Sequence, residues 1–176
     1  MKSAFAVTCC LALAAVLGFS QTKHEKHAQA TTMTDQQFID QAAQSDMLEA
    51  HLGQMAADQA AGVNVKNYAE TLVTDPTKDY QQLTEIAAKD NFTVPKGVDA
   101  EGDRVIEPFD KLKGDAFDNR YLHETIESDM KTLELYTRES KDAQNSDVRN
   151  YASAALPALN KQLDSAKDLE KQLAKK

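Results

Sequence analysis

Four carboxylates and one amide fall where apolar side chains are expected. Glu49, Asp79 and Asp129 interrupt stripes of helical spacing, Asp75 sits beside one, and Gln162 breaks another in its middle. Carboxylates turned inward from several helices suit oxygen ligation of a hard divalent cation. Paired, they also suit acid–base work, provided a cleft brings a substrate to them. Carboxylate metal sites in helical bundles take a Glu from each of two helices and a Glu-x-x-His from each of the other two. This sequence has no Glu-x-x-His. His51 lies two residues from Glu49, so the pair points to different faces of a helix. If a divalent metal such as iron, manganese or zinc binds, its ligands are expected among Glu49, Asp75, Asp79 and Asp129. Otherwise these groups are partly solvated or are satisfied by tyrosine hydroxyls, Gln162 or water.

Other chemistries lack their residues. Cys9 and Cys10 are the only cysteines, and both lie in an apolar leader. The remainder therefore forms no disulfide and offers no thiolate. There is no G-x-S-x-G elbow, and the six glycines are scattered rather than gathered into a phosphate loop. No catalytic residue and no cofactor are assigned.

The elements that would position these groups are long amphipathic helices. The clearest stripe is Val148, Ala152, Ala155, Leu159, Gln162, Ala166, Leu169 and Leu173, stepping by four and three. Ser146 is expected to cap this helix and Pro157 to kink it. The first helix opens at Thr34-Asp35-Gln36-Gln37, a capping box, and runs to about Ala60 with the seam Phe38, Ala42, Ser45, Glu49, Leu52, Ala56. A second, from near Asn64 to about Asp90, carries Val65, Ala69, Leu72, Pro76, Asp79, Leu83 and Ile86. Asp75-Pro76 reads locally as a restart signal. The stripe keeps its phase across it, so one kinked helix is expected. A third, from Asp115 to about Ala143, presents Phe117, Tyr121, Leu122, Ile126, Met130, Leu133 and Tyr136, with Asp129 intruding. Met47, Met55 and Met130 read as core fillers. Tyr68 and Tyr151 read as boundary residues with their hydroxyls reaching water.

Residues 1–20 read as a signal peptide, with Lys2 ahead of an apolar run and Ser20 or Ala30 as cleavage points. Residues 21–33 read as a disordered leader and 34–174 as the folded domain. The Pro- and Gly-bearing stretch at about 91–114 reads as a long crossover holding a short helical piece near Arg104–Leu112. Nothing beyond the leader is apolar enough to span a bilayer. Net charge is −8, and becomes −9 without residues 1–20, which hold one lysine and no acid. That balance argues against nucleic acid and anionic lipid as partners.

A gap-free shift of 83 residues places Ser45-Asp46-Met47 on Ser128-Asp129-Met130 and Val65–Ala69 on Val148–Ala152. Two similar helical hairpins joined by one crossover follow. The expected fold is all-α: a four-helix, ferritin-like bundle.

Met47–Gly53, Val65–Ala69, Asp75 with Lys78, Phe117–Tyr121 and Leu156-Pro157 resemble an exported bacterial family of unknown function, often labelled an outer-membrane protein. The resemblance spans about Phe38–Leu169 and implies a ferritin-like bundle and a link to envelope stress. It implies Glu49, and histidines where this chain has Pro76, Met130 and Gln162, as an inward metal-binding set. Of that set only carboxylates remain here. The expected function is a non-enzymatic structural or interaction module in the periplasm or outside the cell. Its partner would be an undefined protein or small ligand, its state monomer or dimer. The alternative is a degenerate metal-binding bundle.

Overall fold

The computed structural model describes residues 33–175. The expected signal peptide and nearly all of the expected leader lie outside them. The described chain forms α1 (Asp35–Gln59), α2 (Val63–Asp90), a short α3 (Ala100–Ile106) running into a 3-10 turn (Glu107–Lys111), α4 (Asp115–Asp142) and α5 (Ser146–Leu173). No strand occurs among these residues. At 1.5 Å per residue the 28-residue helices are about 40 Å long.

Local chemistry sets the boundaries. Thr34 and Gln37 form the capping box at α1. Asn91 ends α2 in the left-handed conformation. Asp99 starts α3 by accepting from the backbone N–H groups of Glu101 and Gly102, so this helix begins upstream of the expected Arg104. Gly114 precedes α4 with a φ of 63°, a conformation that favours glycine. Asn145, rather than Ser146, caps α5: its amide oxygen accepts from the N–H groups of Asp147 and Val148. Helix α2 continues through Pro76 without a break.

Helices α1 and α2 pack along their lengths as one hairpin, and α4 and α5 as another. The hairpins meet through α1 against α4 and α2 against α5. The crossover is strapped to the first hairpin. Gln36 exchanges two amide hydrogen bonds with the backbone of Thr93. Gln44 bonds Gly97 O and Asp99 N, and Tyr80 donates to Pro95 O at 2.6 Å.

The core has two apolar halves. One gathers Leu52, Val65, Leu72, Phe109, Phe117, Leu122 and Leu163. The other gathers Phe38, Ile39, Leu83, Val148, Ala152 and Leu159. The inward face of α4 differs from the expected stripe. It reads Phe117, Asp118, Tyr121, Leu122, Thr125, Ile126, Asp129, Thr132, Leu135, Tyr136 and Glu139. Asp129 is on that face, and Met130, one residue on, is turned out with 54% of its surface exposed. Met130 is therefore not a core filler. Phe117, Tyr121, Leu122, Ile126 and Tyr136 of the expected stripe are buried, and the departure is local, where polar Asp129 takes the inward place beside Met130.

Candidate functional site

The polar groups collect between the two apolar halves. Gln162 of α5 donates from its single amide nitrogen to Glu49 Oε1 of α1 and to Asp129 Oδ1 of α4, the latter at 2.8 Å. The Glu49 and Asp129 carboxyls also lie within hydrogen-bonding reach of each other. Glu49 is half-buried as a residue, with its carboxylate as the inward part. Asp129 is 2% exposed, and its Oδ2 has no hydrogen-bond partner among the described residues. The Tyr121 side chain is fully buried beside them, in the fields of Glu49 and Asp129 and within reach of the Thr125 hydroxyl.

Burial without a cation raises these acids. Asp129 is pushed up to about 7 by burial, opposed by its hydrogen bonds from Gln162 and Glu49. Glu49 is raised by burial first, then by the charges of Asp129, Asp46 and Asp79. Asp46, buried and with an unpartnered Oδ2, is raised by burial and then by Asp79. Asp79 is raised by burial, then Asp75, against an opposing Lys78. Asp46 was not singled out as a site residue in the sequence. The signal available was its alignment with Asp129 under the 83-residue shift.

Tyrosines line the same layer. Tyr68 donates to Gln162 O at 3.3 Å, and Tyr151 to Asp79 O at 3.4 Å. Tyr136 and Tyr151 bond through their hydroxyls at 3.3 Å. Tyr68 and Tyr151 are thus interior groups, and the expectation that their hydroxyls reach water does not hold. The reason is that helix backbone carbonyls inside the bundle serve as acceptors.

The expected metal candidates do not converge. Glu49 and Asp129 meet through Gln162. Asp79 is half-buried nearby. Asp75 is solvent-facing and paired with Lys78 at 3.6 Å. His51 is exposed, and His123 contacts Glu127 and Glu170 at the surface. No group of three or more His, Cys, Asp or Glu side chains among the described residues is disposed to hold a metal ion. An N–H donor already stands between the two closest carboxylates, where a shared cation would have to sit. The residues present do not fit the metal set that the resemblance implies.

The described surface also carries a groove of about 560 Å³ between α1, α4 and α3. Leu48, Val105 and Leu135 supply apolar walls, with Gln41, Glu124 and Lys131 among the polar lining. Ser45 and Thr132, joined at 3.4 Å, also line it. None of the buried carboxylates of the polar layer does.

Two solved structures share the fold. One is CopM in its Cu(II)-bound form, at 13% identity and a TM-score of 0.67, covering 80% of this chain and 98% of that one. The other is a protein described as secreted, DUF305 from Streptomyces coelicolor, at 10% identity and a TM-score of 0.66, covering 80% and 94%. No curated protein matches the chain in sequence. No helix among the described residues is long and apolar enough to cross a membrane. The family profile described as a domain of unknown function, DUF4142, matches residues 20–169, most of the sequence, and the chain belongs to that family.

Proposed function

We propose that the protein is an exported, non-enzymatic interaction domain that binds its partner in the groove between α1, α4 and α3. The observation that carries this reading is the groove itself: a cavity of about 560 Å³ with apolar walls and a mixed polar lining. Ligand sites are concave, largely apolar and furnished with a few polar groups, within that size range. The straps from Gln36, Gln44 and Tyr80 hold the crossover and so support one wall.

The acids of the polar layer do not line the groove. General acid–base catalysis needs a proton-transfer group within reach of a bound substrate. Export is supported by the leader read from the sequence and by the neighbour described as secreted.

A photo-crosslinking side chain placed at Ser128, in the groove, tests the reading in producing cells. Adducts are expected from Ser128 and not from the same side chain at exposed Met130. Equal labelling from both positions, or none from Ser128, would contradict it.

A further inference from the structure

The groove between α1, α4 and α3 is unbalanced in charge. Asp40, Asp99, Glu101 and Glu124 line it against a single cation, Lys131. Some of this acidity is already in use. Asp99 caps α3 with Oδ1, Asp40 accepts from the Gln36 amide at 2.8 Å, and Glu124 pairs with Arg120 at 2.9 Å. Even with Arg120 counted, the acids outnumber the cations. Glu101 and Lys131 are exposed on opposite walls, one on α3 and one on α4.

The acids are also spread out. Helices α1 and α4 run antiparallel, since Ser45 meets Thr132 while Asp35 meets the turn at Gln144. Asp40 lies five residues to one side of the Ser45–Thr132 contact, and Glu124 eight residues to the other. At 1.5 Å per residue they are about 20 Å apart along the bundle. Asp99 N donates to Gln44 Oε1 at 2.9 Å, which sets the crossover acids at an intermediate level. Carboxylates so distributed do not converge on one metal ion, and a small amine would meet only one end of them. An extended chain rising about 3.3 Å per residue spans them in roughly six residues, with alternate side chains on the same wall.

Given that the groove is the binding site, as proposed above, we propose that its occupant is a basic, partly apolar segment of a partner protein, lying extended from Asp40 to Glu124. Its Lys or Arg side chains face the acids, and its apolar side chains pack against Leu48, Val105 and Leu135. Burial on those walls supplies the affinity. The excess of carboxylates speeds encounter with a basic segment and rejects an acidic one. Lys131 is the group of opposite sign, so its replacement by an acid favours the same occupant.

The test measures fluorescence anisotropy on the full chain purified after export. The probe is a labelled hexapeptide alternating lysine with leucine, beside versions with glutamate or glutamine in place of lysine. The lysine peptide is expected to bind, and to bind more weakly as salt rises. Glu101→Lys should weaken it by about fivefold and Lys131→Glu tighten it by about threefold, as reversal of single exposed charges allows. Glu101→Gln, which removes charge without adding any, should fall between Glu101→Lys and the parent. Damage to α3 alone would not tighten binding in Lys131→Glu. Equal binding of the glutamate or glutamine peptide would overturn the proposal, as would affinities unchanged in Glu101→Lys and Lys131→Glu. Displacement of the lysine peptide by an equal concentration of spermidine would overturn a peptide as the occupant. Failure of the lysine peptide to bind would overturn the proposal too. Adducts from Ser128 in producing cells would then leave the groove as a site for a partner of other chemistry, whereas their absence would remove the groove reading as well.

Discussion

Gln162 is the residue on which the polar layer depends. As an amide interrupting an apolar seam, Gln162 would ordinarily tolerate leucine with a neutral or stabilising effect, as removal of an isolated buried polar group often has. Its position between Glu49 and Asp129 reverses that expectation. Leucine would leave two buried acceptors without a donor, at roughly 1–3 kcal/mol. Denaturant unfolding at pH 8 should therefore show Gln162→Leu to be clearly less stable than the parent, while Glu49→Gln should be equal or more stable. The carboxylates themselves were legible, because Glu49 and Asp129 broke apolar stripes. Asp46 and Thr132 were not. Each lies beside a residue that fills the expected stripe, Ser45 and Leu133, and a side chain's inward turn cannot be read when both neighbours are plausible. The same ambiguity assigns Met130 to the core beside Asp129.

The helices were legible almost to the residue, because caps and periodicity agreed. Thr34-Gln37 closed its capping box, and the stripe crossing Pro76 in phase became one helix. Proline in a helix interior removes a hydrogen bond and clashes with the previous turn. Thr77 and Thr74 donate to the carbonyls of Val73 and Glu70 around it. Pro76→Ala should stabilise the domain by on the order of 1–2 kcal/mol, since the regained backbone bond outweighs the packing that this buried ring supplies; a lowered melting temperature would contradict it. What the sequence hid was how the hairpins are tied. Asp118 is fully buried and accepts from Ala61 N at 2.9 Å and Gly62 N at 2.7 Å. Asp35 does the same for Gln144 and Asn145 at 2.8 and 2.7 Å. Each aspartate thus closes the turn of the opposite hairpin, and the two are 83 residues apart, as are the turns they close. A Cβ on Gly62 would come within 2.9 Å of Asp118 Oδ2, so a larger residue there must displace that carboxylate. Asp118→Ala should cost about 2–3 kcal/mol, because two buried N–H groups lose a charged acceptor. Half-buried Asp35 should cost less when replaced by alanine. Chemical denaturation of both variants checks the order.

At the scale of the whole molecule, two apolar halves carry the bundle and a polar layer divides them. Surface ion pairs such as Lys78–Asp75 and Lys171–Asp168 are exposed and add little. The pH response should therefore come from the interior acids. Their folded-state values are raised, so stability should fall as pH rises from about 5 to 8. Carboxylates held by salt bridges would give the opposite slope. Melting temperatures across that range should fall, and should fall less in Glu49→Gln. The fold class was legible because four long stripes and one proline- and glycine-bearing connection admit few arrangements. The groove was not, since it arises only when the crossover lies against α1. The central claim is that the inward carboxylates of Glu49 and Asp129 are bridged by the Gln162 amide rather than by a metal ion. The most direct measurement is the melting temperature at pH 7 in EDTA and in a hundred-micromolar excess (~100 µM) of copper, zinc, manganese or ferrous ion. A metal present at a hundred times its Kd would stabilise by about 2.7 kcal/mol, several degrees in a domain of this size. The account predicts the same melting temperature in every sample. A metal-dependent rise that disappears in Glu49→Gln would contradict it.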